Sequence, residues 1–329
     1  MKDPHARTRP RAGAGAPASV APRCAAVSRA ALAGALFLLA APAATGCKHG
    51  GGASDSGGGG GATDAGTDAA PGTDAGPAVA CPATLVPGVN IGFPSDGYDR
   101  SLILAVPSYH DAAQEWPVVF VWHWLGGDAA SMLAASGMEP RAESEGILVV
   151  APESRRLPLT EWEFFNADPS TNPDITFFDQ LLSCLEEQYN VDEDRVYSTG
   201  MSAGGLWTSY LGVERADVHA ALAPASGGLF VSWVPPASKP PELVIWGGVT
   251  DMCCTVDFNQ MALDMIADLR SNDQFVVGCN HDMGHTWPYP VTGEYVWQFF
   301  ADHVRGVTPD PYEGAPLPAV FPSYCTIEP

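Results

Sequence analysis

Along residues 81–329, short apolar runs alternate with longer stretches in which apolar side chains recur every three or four positions. The runs at 102–106, 118–122, 147–150, 195–198, 220–223, 243–246 and 275–277 predict strands. The stretches at 128–136, 174–189, 203–214, 258–270 and 294–305 predict helices. In the second of these, Phe177, Leu181, Cys184, Leu185 and Tyr189 fall on one face, so that helix packs one side against a sheet. Runs that are apolar throughout suit strands covered on both faces, as in a parallel sheet flanked by helices. The expectation is an α/β protein with a mostly parallel sheet, helices on both faces and a single catalytic domain over 81–329.

The first 80 residues have a different texture. A basic stretch ends at Arg29, an apolar run covers 30–41, and small residues lead to Cys47. That order predicts a secretory signal over 1–46. Small residues before a cysteine resemble the lipobox of bacterial lipoproteins, with Cys47 as the acylated residue; an ordinary signal peptide is the alternative. Residues 47–80 are rich in Gly, Ala, Thr and Asp, and they lack the large apolar side chains a core needs. Such a segment predicts a flexible tether with a reach on the order of 30 Å. The expected location is the cell envelope, attached through lipid alone, or the exterior if Cys47 is not acylated.

Composition narrows the function classes. The formal net charge of −22 repels polyanions, so nucleic acid is not an expected partner. A leader and a lipidated Cys47 would leave Cys81, Cys184, Cys253, Cys254, Cys279 and Cys325 in an oxidising compartment, where disulfides are expected. Cys81 and Cys325 stand near the two ends of the folded segment, and a bond between them would clasp it. Cys253, Cys254, Cys279 and His281 are the rival zinc set, without a C-x-x-C pair to support it.

The most informative motif is Gly200-Met-Ser202-Ala-Gly204, preceded by a predicted strand and followed by a predicted helix. A strand-to-helix turn this sharp needs small neighbours and lifts the serine hydroxyl above the carboxyl edge of the sheet. A serine hydroxyl needs a base, and the loop after the last predicted strand supplies His285, with His281 as its competitor. A carboxylate must orient that base. Asp251 stands at the end of the 243–246 strand, with Asp257 and Asp282 as spare candidates; Asp257 is expected at a helix start. Two backbone N–H donors must face the developing oxyanion. Ala203 is one, and the loop His123-Trp-Leu-Gly-Gly127 is expected to supply the other.

With these residues in view, residues 98–303 resemble the exported esterases of the α/β-hydrolase superfamily grouped as polyhydroxybutyrate depolymerase-like and feruloyl esterase-like, akin to carbohydrate esterase family one. The likeness rests on Arg100-Ser-Leu-Ile-Leu-Ala-Val-Pro107, the His123 loop, Tyr189-Asn-Val-Asp-Glu-Asp-Arg-Val-Tyr197, Gly200-Met-Ser-Ala-Gly-Gly205, Ala221-Leu-Ala-Pro-Ala-Ser-Gly227 and Gly284-His-Thr-Trp-Pro288. It implies nucleophile Ser202, acid Asp251, base His285 and oxyanion donors Ala203 and Leu125. Relatives usually read His-Gly-x-Gly-Gly where this chain has Trp124 in place of the first glycine. The Cys253–Cys254 pair is also unusual, and a bond from one of them to Cys279 would brace the acid loop.

Trp124, Trp162, Phe164, Phe165 and Trp287 are candidates for an aromatic cleft that takes a phenolic, sugar-linked or polyester chain. The expected activity is hydrolysis of carboxylic esters of polyhydroxyalkanoate oligomer, feruloyl or acetyl-sugar type, with no cofactor and no metal, by a monomer. A serine peptidase on the same fold and a non-catalytic surface binding protein are the alternatives.

Overall fold

The computed structural model describes residues 80–157, 160–290 and 292–329. The expected signal, the Cys47 acylation site and the tether up to residue 79 lie outside the described residues. In chain order the strands are β1 Gly88–Ser95, β2 Tyr98–Ala105, β3 Trp116–Trp122, β4 Leu148–Pro152, β5 Val191–Met201, β6 Ala221–Ala225, β7 Glu242–Trp246, β8 Met252–Cys253, β9 Val256–Asp257, β10 Val276–Asn280 and β11 Cys325–Ile327. The helices are α1 Ala129–Ser136, the single turn α2 Glu139–Arg141, α3 Pro173–Tyr189, α4 Ala203–Glu214, α5 Phe258–Ser271 and α6 Thr292–Asp302.

Nine strands form one sheet in the order β1-β2-β4-β3-β5-β6-β7-β10-β11. The interior pairs from β4 to β10 are parallel, and antiparallel pairs occur only at the two ends. The central strands alternate between two cores. Val118, Phe120 and Trp122 of β3 face the side covered by α3 and α4, whereas Val119 and Val121 face the side covered by α1 and α6. Helix α5 covers Val244 and Trp246 of β7 through Ala262, Met265 and Leu269. This is the α/β-hydrolase architecture.

Caps fix the helix starts. Asn172 accepts from the Asp174 and Ile175 amides ahead of Pro173, and α3 ends at Asn190 with φ 52°. Asp257 accepts from the Gln260 amide at the start of α5, the role expected of it. Strand β1 is absent from the predicted set because its apolar residues face the wrong way. Val89 and Ile91 are exposed while Asn90, Phe93 and Ser95 are buried, and a bulge between Ile91 and Phe93 shifts the register. Strand β11 has only three residues, too few to show a period.

The disulfides correct two expectations. Cys81 bonds to Cys184 on α3, and Cys279 bonds to Cys325 directly opposite it on the β10–β11 ladder. The Cys81–Cys325 clasp therefore does not form. Nor does the brace from Cys253 or Cys254 to Cys279, and the set of Cys253, Cys254, Cys279 and His281 has lost one of its thiolates to a covalent bond. Closing loops of 103 and 46 residues stabilises the fold by about 4.7 and about 4 kcal/mol respectively in the chain-entropy view. Among the described residues, no helix is long and apolar enough to cross a membrane.

Candidate active site

Strand β5 runs into Ser202, whose φ of 58° and ψ of −118° are strained for a residue with a side chain, and α4 begins at the next residue. The turn is held because its neighbours are glycines. A Cβ on Gly200 would collide with the Gly204 carbonyl, one on Gly204 with the Trp122 carbonyl, and one on Gly205 with the Ala225 carbonyl. The Ser202 amide donates to Ala225 O at 2.9 Å and ties the turn to β6. Helix α4 thus sits hard against the ends of β3 and β6, with Ser202 at the carboxyl edge of the sheet.

Two further loops at that edge meet the serine. His285 Nε2 lies 2.9 Å from Ser202 Oγ, and His285 Nδ1 lies 2.7 Å from Asp251 Oδ1. Since the carboxylate only accepts, Nδ1 carries the proton and Nε2 accepts from the serine hydroxyl. The loops come this close because both have glycine at the crossing. A Cβ on Gly247 would strike the Gly284 carbonyl, and the Gly284 amide donates to Gly247 O at 2.9 Å. Asp251 is fully buried. Burial by itself would raise its carboxyl, but hydrogen bonds from His285, the Gly247 amide and Ser226, with the attraction of the imidazole, hold it below the usual carboxylate range. Ser226 and Gly247 each donate to Asp251 Oδ2 at 2.8 Å. The Phe258 ring stacks on His285 with centroids 4.5 Å apart. Such a relay can take the hydroxyl proton onto the imidazole while the carboxylate stabilises the resulting cation.

The competitors sit elsewhere. His281 is buried, and its Nδ1 accepts from the Met283 amide at 3.2 Å, within its own loop. Burial pushes its pKa down. Asp282 is exposed and Asp257 is occupied as a helix cap.

The loop after β3 turns through Gly126, with φ 74° and the Gly127 amide donating to Trp124 O at 2.9 Å. It places Leu125, 39% exposed, at the surface. A buried scaffold grips this loop from behind. His123 Nδ1 donates to Trp124 O at 2.9 Å while its Nε2 accepts from the Ser154 amide at 3.1 Å. Burial, the largest influence, keeps this imidazole below its ordinary pKa and so neutral. Glu161 accepts from the Gly126 amide at 2.9 Å with one carboxylate oxygen and from Ser154 Oγ with the other. Glu161 and Ser154 were not singled out by sequence reasoning; an acid inside a loop gives no periodic signal.

The tryptophan candidates for the cleft need correction. Trp162 is completely buried, packed on Trp122 and Trp207, and its Nε1 donates to His123 O at 3.0 Å. It supports the loop rather than lining a cleft. Trp287 is buried in the core on the α1 and α6 side. Trp124 is half-buried and folds back onto Gly127, where an added Cβ would touch its indole. Phe165 and Phe230, 52% and 41% exposed, form one exposed aromatic pair, with centroids 4.6 Å apart and Phe164 beneath them. Phe165 follows β4 and Phe230 follows β6, so both leave the edge that carries Ser202. A cavity of about 750 Å³ lies at the other edge, lined by His219, Lys239, Gln274 and His303, and contains none of these residues.

No protein-family model matches the chain. Among curated proteins, it is 30% identical over 137 residues to a probable feruloyl esterase C of Aspergillus oryzae, covering 40% of this chain and 47% of that protein. It is 27% identical over 231 residues to a probable feruloyl esterase C of Aspergillus terreus, covering 66% and 78%. It is 29% identical over 131 residues to the bifunctional acetylxylan esterase/xylanase XynS20E of Neocallimastix patriciarum, covering 40% and 18%. The chain spans about half the length of the first of these relatives. Among solved structures, native pOPH superposes with a TM-score of 0.60 at 22% identity, over 76% of this chain and 98% of that one. An acetyl xylan esterase from Aspergillus awamori gives 0.52 at 14% identity, over 65% and 99%. The chain has the α/β-hydrolase fold, and its relatives in sequence include feruloyl and acetylxylan esterases.

Proposed function

We propose that this protein is a serine hydrolase of carboxylic esters that works through an acyl-enzyme on Ser202. The observation that carries the reading is the continuous relay of 2.9 Å and 2.7 Å from Ser202 through His285 to Asp251, set on a strained elbow. Ser202 Oγ attacks the ester carbonyl as its proton passes to His285 Nε2, and the negative charge forms on the carbonyl oxygen. The amides of Ala203 and Leu125 are the donors for that oxyanion. As the tetrahedral adduct collapses, the C–O bond to the alcohol breaks and His285 returns the proton to the leaving oxygen. Water, deprotonated by the same imidazole, then releases the acid and restores the serine. Every step uses groups of the chain and water.

The relatives' names point to feruloyl or acetyl-sugar esters, with polyhydroxyalkanoate oligomers as a third class. The exposed Phe165 and Phe230 pair favours a flat aryl acyl group among these, because such a group stacks on aromatic faces. The test is turnover of p-nitrophenyl acetate, methyl ferulate and a hydroxybutyrate oligomer by wild type and Ser202→Ala. Methyl ferulate is expected to give the highest kcat/KM. Equal loss of all three in the variant supports the acyl-enzyme, and unchanged turnover in the variant contradicts it.

The reading extends to location. A signal over 1–46, acylation of Cys47 and a tether to residue 80 would hold a monomeric catalytic body at the envelope, bound to the membrane by lipid only. Incorporation of an alkyne-labelled palmitate into wild type but not into Cys47→Ser tests it, and equal labelling of both would refute it.

A further inference from the structure

Between Asp251 and Phe258 the chain makes a small hairpin, β8 and β9, with Cys253 paired to Val256 and a two-residue tip of Cys254 and Thr255. Both tip residues have positive φ, 54° and 71°. That is the geometry of a tight hairpin turn that ordinarily calls for Asn-Gly, and Cys-Thr offers no local preference for it. A β-branched threonine is especially costly there. Cys253 Sγ and Cys254 Sγ lie 3.0 Å apart, about 1 Å beyond a covalent S–S bond. The base of the hairpin is closed by the Phe258 amide donating to Asp251 O at 3.0 Å, and the Phe258 ring stacks on His285. The pair therefore sits at the tip of an element whose two ends hold the acid and the base of the relay.

We propose that Cys253 and Cys254 are a modification site that closes to a vicinal disulfide, and that the bond locks this hairpin against Asp251. The two bonds already formed, Cys81–Cys184 and Cys279–Cys325, place the chain with proteins that mature under oxidising conditions. The exposed Cys254 thiolate attacks one sulfur of a disulfide oxidant and expels one thiol. The Cys253 thiolate then attacks Cys254 Sγ and expels the second. Two protein thiols are oxidised, one oxidant disulfide is reduced to two thiols, and two protons move with the electrons. The bond does not depend on the esterase reading.

The test uses the full chain matured with oxidised glutathione, denatured and alkylated with N-ethylmaleimide without reductant. The tryptic peptide from Ala216 to Arg270 contains these two cysteines and no others. It is expected unalkylated and about 2 Da lighter than the dithiol, and to take two labels after reduction. Two labels without reductant, or a link from either sulfur to another cysteine, would overturn the proposal. In Cys254→Ser the remaining Cys253 is expected to take one label or to carry one glutathione that reductant releases; a Cys253 in neither state there would likewise overturn it. Selective reduction is expected to speed amide exchange over 252–258 by about tenfold, and unchanged exchange would overturn the locking role.

Discussion

Ser226 Oγ donates to Asp251 Oδ2 at 2.8 Å, leaving Oδ1 to the histidine. With the Gly247 amide on the same oxygen, the carboxylate is fixed in orientation and kept ionised although it is buried. Removing the hydroxyl leaves one lone pair of a buried carboxylate unsatisfied, a loss of about 1.4 kcal/mol or roughly tenfold. Ser226→Ala is therefore expected to lower kcat about tenfold with KM little changed. A steady-state comparison on p-nitrophenyl acetate checks this, and a variant indistinguishable from wild type would remove Ser226 from the relay.

Glu161 takes the Gly126 amide and so decides which amides of the 123–127 loop remain turned toward the cleft. Glu161→Ala is expected to reduce kcat by about 10–100-fold, less than the roughly 100–1,000-fold that outright loss of one oxyanion donor costs, because the donor is misplaced rather than removed. Glu161→Gln keeps an acceptor and is expected to recover part of that loss. Comparable kcat values for all three proteins would show that the loop holds its shape unaided.

How much of this was legible in the sequence depends on whether the signal was local. The elbow at Ser202 was readable because the glycines around it are demanded by backbone collisions within a few residues and at the ends of adjacent strands. The expected helix at 203–214 coincides with α4, because the elbow fixes its start. Asp251 and His285 followed from their places after β7 and β10. The disulfide partners were not readable, since Cys279 meets Cys325 only because β11 returns to the sheet edge. Trp162 illustrates the converse. Its composition suits a cleft, but its indole N–H has a buried carbonyl to satisfy, and only the fold reveals that. Glu161, Phe230 and Phe258 act through partners far away in sequence and stand in no motif, and Ser226 lies in the 221–227 segment, which by itself points to no role for its hydroxyl.

Acid should unfold this protein early. His219 is buried, donates from Nδ1 to the Arg215 carbonyl and accepts at Nε2 from Ser198, so it is held neutral with its pKa pushed down to about 4 by burial. In the unfolded chain the same group titrates near 6.5. Between these values the unfolded state binds the extra proton, so the stability from His219 is complete above about pH 6.5 and is lost as the pH falls to about 4. The upper bound of that loss is about 3.4 kcal/mol. His123 and His281 are shifted in the same direction. Urea midpoints at pH 7 and pH 5 are expected to fall more steeply for wild type than for His219→Gln. Equal pH dependence in the two would show that this imidazole is not held neutral.

The strained Ser202, and no other hydroxyl, is expected to be activated by His285 and Asp251. An alkyl fluorophosphonate, followed by mass spectrometry of the digested protein, tests it without assuming a substrate. A single adduct is expected on the peptide that contains Ser202, absent in Ser202→Ala and slowed by at least about a thousandfold in His285→Ala. An adduct on a different serine, or a folded wild type that takes no label, would contradict it.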